Sequence, residues 1–299
     1  MLHAVVLGSA AGGGFPQWNS NAPACRRARQ GDAAALARSQ ASIAVSANER
    51  DWFVLNATPD LRLQIEGTHK LHPREGLRSS PIAGVVVTGG DVDAIAGLLH
   101  LRERHHFDLY APSQVLAVIA ANPIFGVLHA GLVRRDEVAL GVRFPLPGGL
   151  EAELFSVPGK VALYLEDEAP ALAAETGANV GVEIICGANR LAYVPGAAAV
   201  PAALRERLAG ADVILFDATL FSDNEMIATG IGEKTGRRMG HMPLDGADGT
   251  LVALAGLPGR RILTHINNTN PILIEGSLQR RQVEAAGFEI AEDGMEIVL

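Results

Sequence analysis

Cysteine is scarce: Cys25 and Cys186 are the only two in 299 residues. Two thiols cannot build a disulfide framework, so the chain must hold itself together by burial, and the scarcity fits a reducing, cytoplasmic setting. Charge is also sparse, at 19% of residues against 48% hydrophobic, which excludes wholesale disorder. Lys and Arg number 25 against 33 Asp and Glu, leaving a net charge of −8. The basic residues gather only in short knots, "CRRAR" at Cys25–Arg29 and "GRRM" at Gly236–Met239. A phosphate backbone needs a clustered basic face, so nucleic acid is excluded as a partner. Long apolar runs are missing too. The longest, Val115 to Val133, is broken by Asn122-Pro123 and carries His129, so no membrane span is expected. Met1–Gly14 lacks a basic start and breaks at "GSAAGGG", and it reads as a first strand rather than a signal peptide. No repeat or low-complexity linker divides the chain, which predicts one domain over residues 1–299.

What is present is strand. "HAVVLG", "ASIAVSA" and "DWFVLNA" are β-rich and end on Gly, Asn or Ala, and "AGVVVTG" is a continuous apolar strand of the kind buried on both faces. A second series follows: "VRFPL", "LEAELFSVPG", "VALYLE", "VGVEIIC", "RLAYVPG", "DVILFDATLF", "RRILTHI", "FEIAE" and "MEIVL". Helical spacing appears in "TPDLRLQIEG", with Thr58 as N-cap, in "AIAGLLHLRE", capped by Asp93, and in "PAALRERLAG", "LDGADGTLVALAGL" and "EGSLQRRQVEAAG". Each half presents strands first and then strand–helix alternation. Two mixed sheets stacked face to face with helices outside accommodate that order, an α/β (α+β) architecture.

Three apolar strands end in residues that bind cations. "VVVTGGDVD" ends in Asp91 and Asp93, "DVILFD" in Asp217 and "RRILTH" in His265, while His241 stands in "MGHMPLD". One acid at a strand end is ordinarily a cap or turn residue. Buried strand ends, however, converge on one sheet edge, and two or three carboxylates with two imidazoles suit Fe(II), Mn(II) or Zn(II).

At this point the words resemble a known family. The stretch Val85–Leu99 is similar to the first signature of the metallo-β-lactamase superfamily, His-x-His-x-Asp-His, with Gly89, Asp91, Asp93 and Ala94 at its four positions. "SVPGK" resembles the segment that normally brings a further histidine and holds Lys160 there; "LFDATL" resembles the bridging-aspartate strand, and His265 the final histidine. Within the superfamily, "GSAAGGGFPQWN", "NATPDLR", "HPREGLR", "SVPGKV", "KTGRRMGHMPL" and "HINNTNP" resemble the B branch of pyrroloquinoline quinone (PQQ) biosynthesis proteins, from Leu7 to Pro271. The resemblance implies a four-layer αββα sandwich of metallo-β-lactamase type. It also implies an iron site that includes Asp93 and His265, and oxygenation by O₂ of the tyrosine-derived ring of a cross-linked Glu–Tyr precursor of PQQ.

The departures shape the expectations. Ala94 stands where the branch normally carries a histidine ligand, which predicts a weakened metal site with Fe(II) expected and Zn(II) a second candidate. Help would come from Asp91, Asp217, His241 or water. Lys160 and Gly89 count against a second metal. Relatives often carry a Cys-x-Cys-x-x-Cys zinc knuckle after "PQWN"; Ser20, Ala22 and Cys25 hold those places, so no structural zinc is expected at Cys25. For a substrate rich in carboxylates, Arg62, Arg74, Arg78 and Arg238 are the candidate guanidinium partners. His241 and Asp217 are the candidate catalytic pair, His241 as proton carrier. "GSAAGGG" reads as a flexible rim loop. Two alternatives accompany this reading: a non-catalytic carrier of PQQ or its precursor toward the periplasm, which Ala94 favours, and a mononuclear metallo-hydrolase. A homodimer is compatible with the sequence.

Overall fold

A computed structural model describes residues 1–165 and 177–299. Its strands run β1 (His3–Gly8), β2 (Ser42–Ser46), β3 (Trp52–Leu55), β4 (Ile82–Val86), β5 (Phe107–Ala111), β6 (Val133–Glu137), β7 (Arg143–Leu146), β8 (Leu150–Ser156), β9 (Val180–Cys186), β10 (Asn189–Val194), β11 (Val213–Asp217), β12 (Arg260–Thr264), β13 (Glu289–Ile290) and β14 (Glu296–Val298). Among the helices are α1 (Pro23–Arg29), α2 (Leu61–Gly67), α3 (Val92–Ile95), α4 (Ser113–Ala121), α5 (Ala202–Ala209), α6 (Glu225–Ala228), α7 (Thr250–Ala253) and α8 (Leu278–Ala285). The strands form two seven-stranded sheets, ordered β14-β1-β2-β3-β4-β5-β6 and β13-β12-β11-β10-β9-β8-β7. Each is antiparallel through one half and parallel through the other: β3 to β6 run parallel in the first sheet, β10 to β13 in the second.

Side-chain alternation explains the layers. In β4 and its extension Val86 enters the core between the sheets, while Val85 and Val87 enter the core between the first sheet and its helices. In β11 Val213 and Leu215 face the other sheet, and Ile214 and Phe216 face the helices of the second layer. Strands buried on both faces read as unbroken apolar runs, which is why "VVVTG" and "DVILFD" lack polar alternation. Each run then meets its first polar group at the C-terminal end, and in the parallel halves those ends lie on the same edge.

The turn after β4 departs from the expected helix. Asp91, not Asp93, occupies the position preceding α3, and Asp93 lies within its first turn. Only one α-turn forms before the chain tightens into a 3-10 helix over Ala96–Leu101. Gly97 accounts for this: a Cβ there would lie 2.0 Å from the Thr58 carbonyl oxygen. The Gly97 amide donates to Ala57 O and the Ala57 amide to Ala94 O, both at 2.8 Å, pinning the turn to the end of β3. Similarly Asp60, rather than Thr58, precedes α2, and the Thr58 hydroxyl bonds the Gln64 side chain instead. "VALYLE", expected as a strand, is a 3-10 turn over Leu163–Leu165, and Glu166 lies outside the described residues. In "LDGADGTLVALAGL" only Thr250–Ala253 is α-helical. No described helix is long and apolar enough to cross a membrane.

Candidate metal centre

The polar strand ends meet at a pocket of about 440 Å³ lined by Asp91, Asp93, Ala94, Lys160, His241 and His265, among others. β4 delivers Asp91 and Asp93 from the first sheet; β11 and β12 deliver Asp217 and His265 from the second. His265 follows β12 with a left-handed backbone, φ 57°, a conformation that is uncommon for a residue bearing a side chain and is found at sites the surroundings hold firmly. Its neighbour Ile266 accepts a backbone bond from Ala11 and donates one to Ser9, each 2.9 Å. The glycine-rich loop, expected as a flexible rim, is thus fastened to the histidine turn. Gly12 backs onto Asp93, where an added Cβ would sit 3.3 Å from Oδ2.

The site's charged groups are interlocked. His265 Nε2 lies 3.1 Å from Asp93 Oδ2. His265 Nδ1 lies 2.9 Å from Thr219 Oγ1. His241 Nδ1 lies 2.6 Å from Asp217 Oδ2 and 3.1 Å from the same Thr219 oxygen. The two imidazoles stack at 5.3 Å between centroids with 20° between planes. Burial works against a charge on His265, but the Asp217 carboxylate 3.8 Å from Nδ1 and the bond to Asp93 outweigh it and hold its pKa up to about 10. Burial likewise opposes the charges on Asp93 and Asp217. For Asp93 the bond and attraction to His265 win, and for Asp217 the attraction and bond to His241, so both sit below the usual carboxylate range. An acid–base knot of this kind gives up a proton when its groups ligate a cation.

The residues fit one divalent ion. Asp217, His241 and His265 each offer a donor atom within 4.8 Å of the others, the only such cluster of three among the described residues; of these only the two histidines line the pocket, and Asp93, outside the cluster, meets His265 Nε2 with its Oδ2 at 3.1 Å. Mixed imidazole and carboxylate donors suit Zn(II) or Fe(II). Ala94 lines the wall with a methyl group, as its place in the signature requires, but His241 brings a second imidazole from across the pocket. Asp91 lines the same pocket without joining the cluster of three. Lys160 is on the wall, as expected. Cys25 is buried in the helix-side core of the second sheet, its thiol 3.5 Å from Asn268 Oδ1.

The arginines fall elsewhere. Arg62 pairs with Glu66 along α2 and Arg78 with Glu103, both exposed. Arg74 bonds the carbonyls of Glu49 and Lys70. None of these lines the pocket, nor does Arg238, which sits on the 3-10 turn before Met239 and Gly240. Surface segments that match a family in sequence need not face its site. The cation sequence reasoning missed is Lys234, on the pocket wall within "KTGRRMGHMPL". Thr219 was missed as well, although it stands two residues beyond the strand-end Asp217, where a hydroxyl readily folds back on the acid.

The profile of the Beta-lactamase superfamily domain matches residues 51–266. Coenzyme PQQ synthesis protein B of Methylobacterium nodulans is 52% identical over 299 residues, covering 100% of both chains. That of Gluconacetobacter diazotrophicus is 52% identical over 305 residues, covering 99% of each. The chain belongs to the coenzyme PQQ synthesis protein B family. The crystal structure of Zn(2+)-bound PqqB from Methylobacterium extorquens superposes with a TM-score of 0.97 at 51% identity, covering 99% of this chain and 100% of that one. A diphosphatase of the PhnP family aligns with a TM-score of 0.67 at 21% identity, over 100% of this chain and 98% of that one, a likeness of fold alone. The αββα sandwich of metallo-β-lactamase type expected from the sequence is the fold of this family.

Proposed function

We propose that this chain acts in PQQ biosynthesis as an oxygenase dependent on a single iron, hydroxylating the tyrosine-derived ring of the cross-linked Glu–Tyr precursor. The observation that carries the reading is one cluster of imidazole and carboxylate donors among the described residues, two of them lining a pocket whose wall also holds Lys160, where the resemblance places a second metal's histidine. Asp93 and His265 hold the metal. Fe(II), when bound with open positions, supplies the activation of O₂ that no side chain can provide. The chain's own residues bind and orient. Lys160 and Lys234 take the precursor's carboxylates, a role the sequence had assigned to arginines. Asn179, on the pocket wall, donates an Nδ2 hydrogen to the Gly196 carbonyl at 2.9 Å and offers Oδ1 as an acceptor for a phenolic hydroxyl. Ala11, Gly12, Ala41 and Met226 give the lining its apolar share and limit water around the ring.

The test is anaerobic loading with Fe(II), addition of precursor, and exposure to labelled oxygen. The expected product gains oxygen atoms derived from O₂, and Asp93→Ala abolishes the gain. Tight binding of precursor with no mass change would establish the carrier reading instead, and hydrolysis of simple esters or phosphodiesters the hydrolase one.

A further inference from the structure

Asp217 is the superfamily's bridging carboxylate by sequence position, yet here it is fully buried and absent from the pocket lining. Its two oxygens offer about four lone-pair positions, and four donors occupy them. Oδ2 receives the Ala197 amide at 3.0 Å and His241 Nδ1 at 2.6 Å. Oδ1 receives the Thr219 amide at 3.0 Å and the Thr219 hydroxyl at 2.7 Å. With its proton given to Asp217, the Thr219 oxygen accepts from His265 Nδ1 at 2.9 Å. This network assigns the Nδ1 proton on both rings. His241 is fixed directly by Asp217, and His265 through Thr219. In each ring Nε2 is then the nitrogen left for a metal, and that of His265 already faces Asp93 at 3.1 Å.

We infer that His241 is a metal ligand through Nε2, completing an Asp93–His241–His265 set in place of the imidazole that Ala94 lacks, while Asp217 and Thr219 orient the two rings without touching the metal. This rests on the reading of the pocket as a metal centre but not on its oxygenase activity. It also reassigns His241 from the proton-carrying role expected from the sequence. The near-parallel stacking of the rings fits two imidazoles approaching one ion side by side. A carboxylate behind a ligating imidazole is a frequent device, because it fixes the tautomer and raises the ligand's basicity.

Co(II) is the probe, since its visible d–d band reports the ligand set without any turnover. The full chain is titrated with Co(II), affinity is measured by competition with a chelator, and each variant's thermal unfolding is checked. His241→Ala is expected to lose well over 100-fold in affinity and change the band, with added imidazole restoring it. Asp217→Asn and Thr219→Val are expected to lose about 10–100-fold while keeping the band's position, the range for residues that support a ligand from behind; Thr219→Ser recovers the affinity. If Asp217→Asn unfolds, Thr219→Val carries the test. An His241→Ala variant with unchanged affinity and spectrum overturns the assignment. So does a folded Asp217→Asn variant that loses Co(II) as completely as Asp93→Asn, or a Thr219→Val variant that binds as the parent does. Failure to oxygenate precursor, in a chain whose Co(II) band depends on His241, would overturn the oxygenase reading and leave this one standing.

Discussion

Metal binding to this site must expel a proton, and the quantity is calculable. His265 carries two bonded nitrogens, Nδ1 toward Thr219 and Nε2 toward Asp93, and its pKa is held up to about 10. At neutral pH the metal-free ring is therefore protonated, and a cation must displace the Nε2 proton from the position it shares with Asp93. At pH 7.5, some two and a half pH units below that pKa, removing the proton costs about 3 kcal/mol of binding free energy. Apparent affinity should then rise about tenfold per pH unit between pH 6.5 and 9, because one proton leaves for each ion bound. Asp93 stays ionised throughout this range, its pKa being lowered, and adds no proton of its own. Calorimetric titration with Zn(II) in buffers of different ionisation enthalpy counts the proton directly. Asp93→Asn removes one of the groups that hold the proton, so the release at pH 7.5 should shrink. Binding enthalpies independent of buffer in the parent chain would refute the reasoning, since they would mean that the ion does not take the place of the His265 proton.

The same groups set the pH dependence of the metal-free fold. The unfolded His265 titrates near 6.5 and the folded one near 10, so its contribution is complete below 6.5 and is lost as pH rises toward 10. Asp93 and Asp217, with lowered pKa values, contribute above the unfolded carboxylate range and lose that contribution in acid. Chelated protein should accordingly melt at its highest temperature between about pH 4.5 and 6.5, and a melting temperature that climbs steadily from pH 7 to 10 would contradict the pairing. Gly97→Ala places a methyl carbon 2.0 Å from the Thr58 oxygen; denaturant titration should show a loss of about 3 kcal/mol, with weaker metal binding because the turn carries Asp93. Arg62→Ala and Arg78→Ala break exposed pairs and should change stability by less than about 0.5 kcal/mol with no change in KM. Lys234→Ala should raise KM for the precursor severalfold at full metal content; an unchanged KM would remove Lys234 from substrate binding.

The sandwich was legible because hydrophobic runs such as "VVVTG" and "DVILFD" can be buried on both faces only in the parallel halves of packed sheets. The convergence of Asp93, Asp217 and His265 followed from the same logic, since parallel strands present their ends on one edge. The helix after β4 was misread because periodicity alone does not register that Gly97 must pass against the Thr58 carbonyl, which tightens the chain into a 3-10 helix. Arg62, Arg74 and Arg78 lie away from the pocket because α2 and the segment before β4 match the family in sequence while their side chains find acids or carbonyls on the surface. Thr219 was invisible for another reason. One hydroxyl between two imidazoles and an acid is a product of three-dimensional convergence, and "DAT" by itself is an ordinary strand end.

The central claim is that one metal ion sits between Asp93 and His265. Anomalous diffraction at the iron edge, from crystals of chain loaded anaerobically with Fe(II), tests it most directly. The account predicts one peak per chain in contact with Asp93 and His265, and none beside Cys25 or Lys160. Two peaks in the pocket, or a single peak held without Asp93, would contradict it.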